Sequence, residues 1–321
     1  MKWLYRISGL RKNVRFVRRG DKPWIIALCC GMVMIGVGCK PEHASSGPVY
    51  RTNSVGRQEV LYYFAVNPLY NPVKLGEVYQ PLLEEFNKEI AGVTIELEAS
   101  RDMAQFEQKI RSRQPEVIRP NPWQTLVAIQ LGYHVVAMEG AAEDFKGLII
   151  VRKDSGITQP TDLKGRSVSY PSPTSFSGAI MPQFFLQKNG VNVMTDIDNH
   201  YVGSQESSIM NVFLKLTAAG ATWPLSWRAF MKEHPTEAAE LKVIWETDSL
   251  INSSIMIRDD IQGKLQEDLV NFLIHLDKTG KGREILANIG IDRYRSASDR
   301  DYDVVRKYVD EFEKKVRRVE E

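Results

Sequence analysis

From Glu59 onward the chain alternates between two hydrophobic rhythms. EVLYYFAV (59–66) is an unbroken apolar run of strand length, closed by Asn67-Pro68, and predicts a buried strand. Tyr79, Leu82, Leu83, Phe86 and Ile90 recur at helical spacing and predict a helix over 79–90. VTIELEA (93–99) alternates as a strand does, and Met103 to Arg113 reads as a second helix. Further strands are predicted at GLIIVRKD (147–154), RSVSYP (166–171), LKVIWET (241–247) and SSIMIRDD (253–260). Helices are predicted from Ile180 to Asn189, with Gly190 as the C-cap, and from Gln262 to Leu276. The tail is a third, with Val304, Val305, Tyr308, Val309, Phe312 and Val316 on one face. Strand–helix alternation of this kind predicts an α/β chain, its sheets mixed but mainly parallel and flanked by helices. No internal repeat interrupts it.

The segment before this body has a different character. Residues 1–22 hold eight Lys/Arg and one acid, a charge of +7 in a chain whose formal total is +2, so the body carries about −5. A mildly acidic body argues against a nucleic-acid partner, which would want a clustered basic face. The basic stretch leads into Trp24 to Gly38, fifteen apolar or small residues, short of the ~20 that span a bilayer. This layout is that of a secretory signal. It ends in Val37-Gly38-Cys39, similar to a bacterial lipobox but with Gly36 where leucine is usual, which makes Cys39 the candidate lipidation site. The competing reading is an uncleaved anchor helix, and both place the body outside the cytoplasm, tethered to a membrane. Cys29 and Cys30 fall inside the removed run, so the mature body has neither a disulfide nor a cysteine-based metal site. The organisation expected is a leader at 1–38, a flexible polar tether at 39–56, and then the body.

The length of 321 residues, 43% hydrophobic and 26% charged, suits two globular units. The nucleophile elbow, the zinc-protease helix motif, the phosphate loop and C-x-x-C are all missing, and the five histidines are scattered. No enzyme, cofactor or metal is therefore expected. Gly280-Lys281-Gly282 lacks the loop that would make it a phosphate site.

One stretch carries chemistry. In SYPSPTSFSG (169–178) a strand ends in Pro171 and feeds small hydroxyl residues into a helix start. Helix-start N–H groups lack partners and carry partial positive charge, so with Ser175 and Ser177 they make a candidate anion site. Ordinary N-capping is the alternative on local grounds.

The run GLIIVRKDSGITQPTDLKGRSVSYPSPTSFSG (147–178) resembles the phosphonate/phosphate-binding subunits of bacterial ABC importers. The resemblance continues through YQPLLEEFNKEIAGVTIELEAS (79–100), LKVIWETDSL (241–250) and ILANIGIDRYRSASDRDYDVVR (285–306). It implies a two-lobed type II periplasmic-binding-protein fold that closes on a ligand at its cleft, with crossover strands near 147–153 and 245–257. The first lobe would take 57–148 and 256–321, and the second 149–255. It further implies a monomeric, non-enzymatic subunit that hands a small anion to a membrane permease, or, in the alternative, presents it to a membrane histidine kinase.

Carried over residue by residue, the resemblance implies a ligand site at Ser175, Phe176, Ser177, Gly178, Gln205, Phe145 and Met103. This chain departs from the family there. Phe176 replaces a hydroxyl of the family's S-T-S cradle, Gln205 replaces a histidine, and Met103 and Phe145 replace aromatic hydroxyls. Acids that hold a ligand amine map near Leu225 and Ser254. Arg119 and Asn121 stand where an apolar residue and a glycine are usual, and Trp123, Trp223 and Trp227 lie in or beside cleft-facing segments. An arginine between apolar walls could hold a phosphate or carboxylate bidentately; otherwise Arg119 points to solvent and the tryptophans are core. The leading ligand class is phosphonate, phosphate or phosphite, with a carboxylate-type anion as the alternative.

Overall fold

A computed structural model describes residues 60–140, 145–261 and 263–320 of the chain. The basic leader, the apolar run, Cys39 and the tether lie outside the described residues. Counted along the chain, the first sheet comprises β1 (Val60–Val66), β2 (Val93–Glu98), β3 (Val117–Arg119), β4 (Tyr133–Glu139), β10 (Ser254–Arg258) and β11 (Tyr294–Ser296). Their order across the sheet is β11-β4-β10-β3-β1-β2. The second sheet comprises β5 (Leu148–Arg152), β6 (Ser167–Tyr170), β7 (Asp198–Tyr201), β8 (Ala219–Thr222) and β9 (Leu241–Glu246), ordered β7-β6-β8-β5-β9.

Both sheets are mixed. Among the described residues β1·β2, β1·β3, β6·β7 and β6·β8 pair in parallel, and the other five pairings are antiparallel. Parallel pairing is thus less dominant than the strand–helix alternation predicts. The reason is the crossing of the chain. It enters the second sheet on β5 and leaves it on β9, and β10 then inserts antiparallel between β3 and β4.

Local signals explain where the helices begin. The first helix, α1 (Pro72–Glu89), starts ahead of the predicted 79–90 because the Asn71 side chain accepts from Lys74 N–H and Pro72 takes the first turn. Then come α2 (Met103–Arg111), capped by Asp102, and α3 (Pro122–Gln130), closed by a reciprocal Asn121/Gln124 capping box. The second sheet is flanked by α4 (Met181–Lys188), α5 (Gln205–Phe213), α6 (Pro224–Glu233) and α7 (Pro235–Ala239). After α4, Gly190 takes a left-handed φ of 82°, the conformation expected of a helix stop. The chain ends on α8 (Lys264–His275), α9 (Gly280–Ile289) and α10 (Asp303–Lys315). In α9 one glycine has a packing cause: a Cβ on Gly282 would stand 1.7 Å from the Leu276 carbonyl oxygen, whereas one on Gly280 would meet nothing within 4 Å.

Three apolar clusters position the site. Phe64, Val66, Leu82 and Phe86 meet Phe272 and Leu286 in the first. Ile149, Val151, Val168 and Ala219 centre the second sheet. The third joins the two: Trp123, Leu126, Val309 and Phe312 from α3 and α10 pack with Phe176, Ile180 and Phe184 from the α4 side. Tyr308 and Phe312 of α10 stand edge-on to Phe184.

Candidate functional site

The C-terminal ends of β1, β3, β6 and β8 run into loops that meet between the sheets, the position where open α/β sheets take ligands. An inner cavity there is lined by Asn67, Arg119 and Asn121 from the first sheet's side, and by Ser175, Ser177 and Gln205 from the second's. Met103, Phe145, Phe176 and Trp223 complete its apolar walls. Eight of the nine ligand residues expected from sequence therefore line one cavity. Gly178 lies just behind it: a Cβ there would sit 2.6 Å from Ser175 Oγ and 2.9 Å from Gln205 Nε2.

The helix start at this point is a π turn, Phe176–Ile180, that runs into α4. The N–H groups of Ala179 and Ile180 both reach the Ser175 carbonyl, at 2.8 and 3.1 Å. The N–H groups of Phe176, Ser177 and Gly178 precede the first helical bond and have no partner among the described residues. Ser175 makes no side-chain cap, so simple N-capping does not account for it. Its hydroxyl instead accepts from Gln205 Nε2 at 3.3 Å. Thr222 Oγ1 donates to Gln205 Oε1 at 2.9 Å, which fixes the amide with its N–H side toward Ser175. Gln205 opens α5, so a second helix N-terminus points the same way.

Arg119 differs from both alternatives drawn from sequence. It neither points to solvent nor offers a free guanidinium, for it is 1% exposed and paired with Glu139. Nε donates to Glu139 Oε1 at 2.9 Å, Nη2 donates to Oε2, and Nη1 donates to Asn67 Oδ1 at 2.7 Å. Burial works against this charge, but the Glu139 carboxylate outweighs it and holds Arg119 above its ordinary pKa. Tyr79 also donates to Glu139, at 3.3 Å, and burial pushes its hydroxyl well above the usual range. Tyr294, raised by the same cause, has a buried hydroxyl without a partner among the described residues.

The remaining expectations separate. Asn121 bridges the sheets, donating to the Thr174 carbonyl at 3.1 Å. Trp223 lines the cavity, its indole N–H donating to Ser226 Oγ at 2.7 Å, with Phe145 edge-on at 5.6 Å. Phe145 also stacks on Phe176 at 6.1 Å. Trp123 is core, and Trp227 stacks on Phe230 outside the cavity. Neither position expected of an amine-holding acid reaches the cavity. Leu225 packs against Gly290, and Ser254 shares a 2.7 Å hydrogen bond with Thr125. Ser253 lines the wall instead. The sequence does not point to Asn67, Gly203 and Ser204 as lining residues, nor to Glu139 beside Arg119; of these only Asn67 carries a signal, the Asn67-Pro68 strand stop.

The inner cavity offers only about 20 Å³, room for about one water. A phosphorus oxyanion, with at least four heavy atoms, enters only if side chains or lobes move. An outer chamber of about 220 Å³ adjoins it and shares Pro68, Leu69, Gly203, Ser204 and Gln205. Lys74 and Glu233, which both line this chamber, form an ion pair at 3.4 Å.

A family model described as ABC transporter, phosphonate, periplasmic substrate-binding protein matches residues 64–302. The chain is 23% identical over 198 residues to the probable ABC transporter phosphite binding protein PhnD1 of Prochlorococcus marinus (strain MIT 9301). That match covers 58% of this chain and 65% of the relative, just under two thirds of its length. It is 22% identical over 251 residues to the phosphonates-binding periplasmic protein of Escherichia coli (strain K12), covering 75% of this chain and 74% of that one. The solved structure of PhnD1 from Prochlorococcus marinus (MIT 9301) in complex with methylphosphonate has the same fold. The TM-score is 0.73 at 18% identity, over 79% of this chain and 98% of that one.

Proposed function

The chain belongs to the phosphonate family of periplasmic substrate-binding proteins of ABC transporters, and on that premise we propose that its inner cavity captures a small phosphorus oxyanion. The class is that of phosphite, methylphosphonate and phosphate, delivered to a membrane permease. The observation that carries this reading is that Ser175, Phe176, Ser177 and the oriented amide of Gln205 line one cavity, with Gly178 just behind it, while the N–H groups of Phe176, Ser177 and Gly178 have no partner among the described residues. Phe145, Phe176 and Trp223 suit a small apolar substituent on phosphorus. No carboxylate is among the residues lining the inner cavity, so a ligand amine would lose its water without gaining a partner there. Simple aminoalkyl phosphonates are accordingly poor ligands.

Two lobes, 57–148 with 256–321 and 149–255, hinge on the segments between β4 and β5 and between β9 and β10. The division of the strands between two sheets supports that boundary. Family membership places the body outside the cytoplasm, and Cys39 following Val37-Gly38 supports a lipid anchor. Mass spectrometry of membrane-extracted protein tests the anchor: an intact leader or an unmodified Cys39 removes it.

Calorimetry with phosphite, methylphosphonate, phosphate and 2-aminoethylphosphonate tests the ligand. Loss of one hydrogen bond to a charged oxygen costs about 1.5–3 kcal/mol, so Ser175→Ala and Ser177→Ala should each weaken the best anion about ten- to a hundredfold. Tight binding of 2-aminoethylphosphonate, or serine variants that bind like wild type, would refute the assignment.

A further inference from the structure

The pair formed by Arg119 and Glu139 has a consequence for ligand charge. Arg119 is the one residue with a formal charge among those lining the inner cavity. Its guanidinium is spanned by the Glu139 carboxylate, with both side chains 1% exposed. The other titratable groups facing Glu139 are hydroxyls: Tyr79 on α1, Tyr294 on β11, and the more distant Tyr302 and Tyr70. Burial raises all four, so they stay neutral near physiological pH. The cations Lys74 and Arg101 line the outer chamber, not the inner cavity. What remains to meet an anion is partial charge: two helix N-termini, each worth about half an elementary charge, and neutral donors.

We propose that Glu139 is a positioning residue that, by claiming Arg119, makes the inner cavity select a singly charged oxyanion over a doubly charged one. The inference rests on the reading of that cavity as the anion site. A monoanion matches the partial charges present. Its two bare oxygens can face the free N–H groups and the Gln205 amide, and its P–OH needs an acceptor. The Ser177 hydroxyl has no partner among the described residues and can accept that proton. A dianion brings a second charge that nothing in the cavity balances while Arg119 is held by Glu139.

The test is a calorimetric pH profile with methylphosphonate as the probe. Wild-type affinity should fall about tenfold per pH unit above the second ionisation of the probe, because the bound species is being titrated away. Glu139→Gln, confirmed as folded by its thermal melt, releases the Arg119 charge. It should flatten or reverse that slope and bind the dianion at least about tenfold tighter than wild type does. Arg119→Gln/Glu139→Gln, which removes both charges, should keep the wild-type slope. A folded Glu139→Gln with the wild-type slope overturns the inference. So does a double variant that loses binding altogether, since the ligand would then rest on Arg119 directly. If Glu139→Gln does not fold, the wild-type profile decides, and an affinity that is flat or rises with pH overturns the inference. A wild type that binds no phosphorus oxyanion at any pH overturns the anion site itself, and this inference with it.

Discussion

Replacing Gly178 with alanine separates the cost of packing from the cost of binding. The backbone there is not left-handed, so alanine meets no conformational penalty. It meets atoms instead. The new Cβ would lie 2.6 Å from Ser175 Oγ, 2.8 Å from Pro171 Cγ and 2.9 Å from Gln205 Nε2, where ordinary contacts begin near 3.4 Å. Overpacking of this kind costs about 1–3 kcal/mol, and the helical preference of alanine over glycine returns about 0.5–1. The net loss of stability is then roughly 0–2.5 kcal/mol, read from urea denaturation. Binding suffers more, because the displaced atoms are two of the donors offered to the anion. Two hydrogen bonds to a charged acceptor amount to roughly 3–6 kcal/mol, a loss of affinity of more than about a hundredfold. Calorimetry and denaturation on the same preparation give both numbers. A Gly178→Ala protein that is destabilised yet binds every oxyanion as wild type does would refute the placement of the anion beside Ser175 and Gln205.

Arg119→Met leaves Glu139 buried without its partner and should cost about 3–5 kcal/mol, most of it recovered when Glu139→Leu is added; a single variant within about 1 kcal/mol of wild type would show that the pair is not buried. Burial raises the Glu107 carboxyl above its ordinary value, against hydrogen bonds from Thr174 and Gln124. The folded protein therefore binds more protons than the unfolded one just above the usual carboxylate range, and stability should fall as pH rises through that window. Glu107→Gln should remove this fall, and an unchanged pH–stability profile in the variant would contradict it. The inner cavity holds about one water, so side chains or lobes move for entry; if the free lobes open about the hinge and close on the anion, saturating ligand should lower the radius of gyration by small-angle scattering. An unchanged radius at saturation contradicts capture by closure.

The elements legible in the sequence are those whose pattern reports burial directly. β5 reads LIIVR, its first four side chains buried, and α10 buries Val305, Val309 and Phe312 at helical spacing. β7, DNHY, is a polar strand at the sheet edge, held by backbone pairing with β6 rather than by an apolar face, and no pattern marks it. β8, AGAT, is small because α5 approaches closely, with Ser208 O only 2.5 Å from a Cβ on Gly220, and small residues carry no strand signal. β3, α3 and β4 follow one another within 117–139 with buried polar residues such as Arg119, Asn121, Gln124 and Thr125 among the apolar ones, which blurs the pattern; Asn121-Pro122 and Gly132 are its punctuation.

The site divides in the same way. Ser175 to Gly178 could be found because the chemistry of a helix start is local. The state of Arg119 could not. Its partner Glu139 stands twenty positions on, at the end of β4, and comes beside it only because β10 spaces β3 from β4 in the sheet. Nothing in the sequence spacing distinguishes an arginine that waits for a ligand from one already paired.

The central claim is that a phosphorus oxyanion sits on the helix start at Phe176. A crystal structure of the body, grown with methylphosphonate after calorimetry has shown saturation, tests it most directly. Phosphonate oxygens are expected within hydrogen-bond distance of the N–H groups of Phe176, Ser177 and Gly178 and of the hydroxyls of Ser175 and Ser177. The methyl group is expected against Phe145 and Trp223, with Glu139 still on Arg119. An anion seated in the outer chamber between Lys74 and Arg101, with the N–H groups of Phe176 to Gly178 left unoccupied, would contradict it.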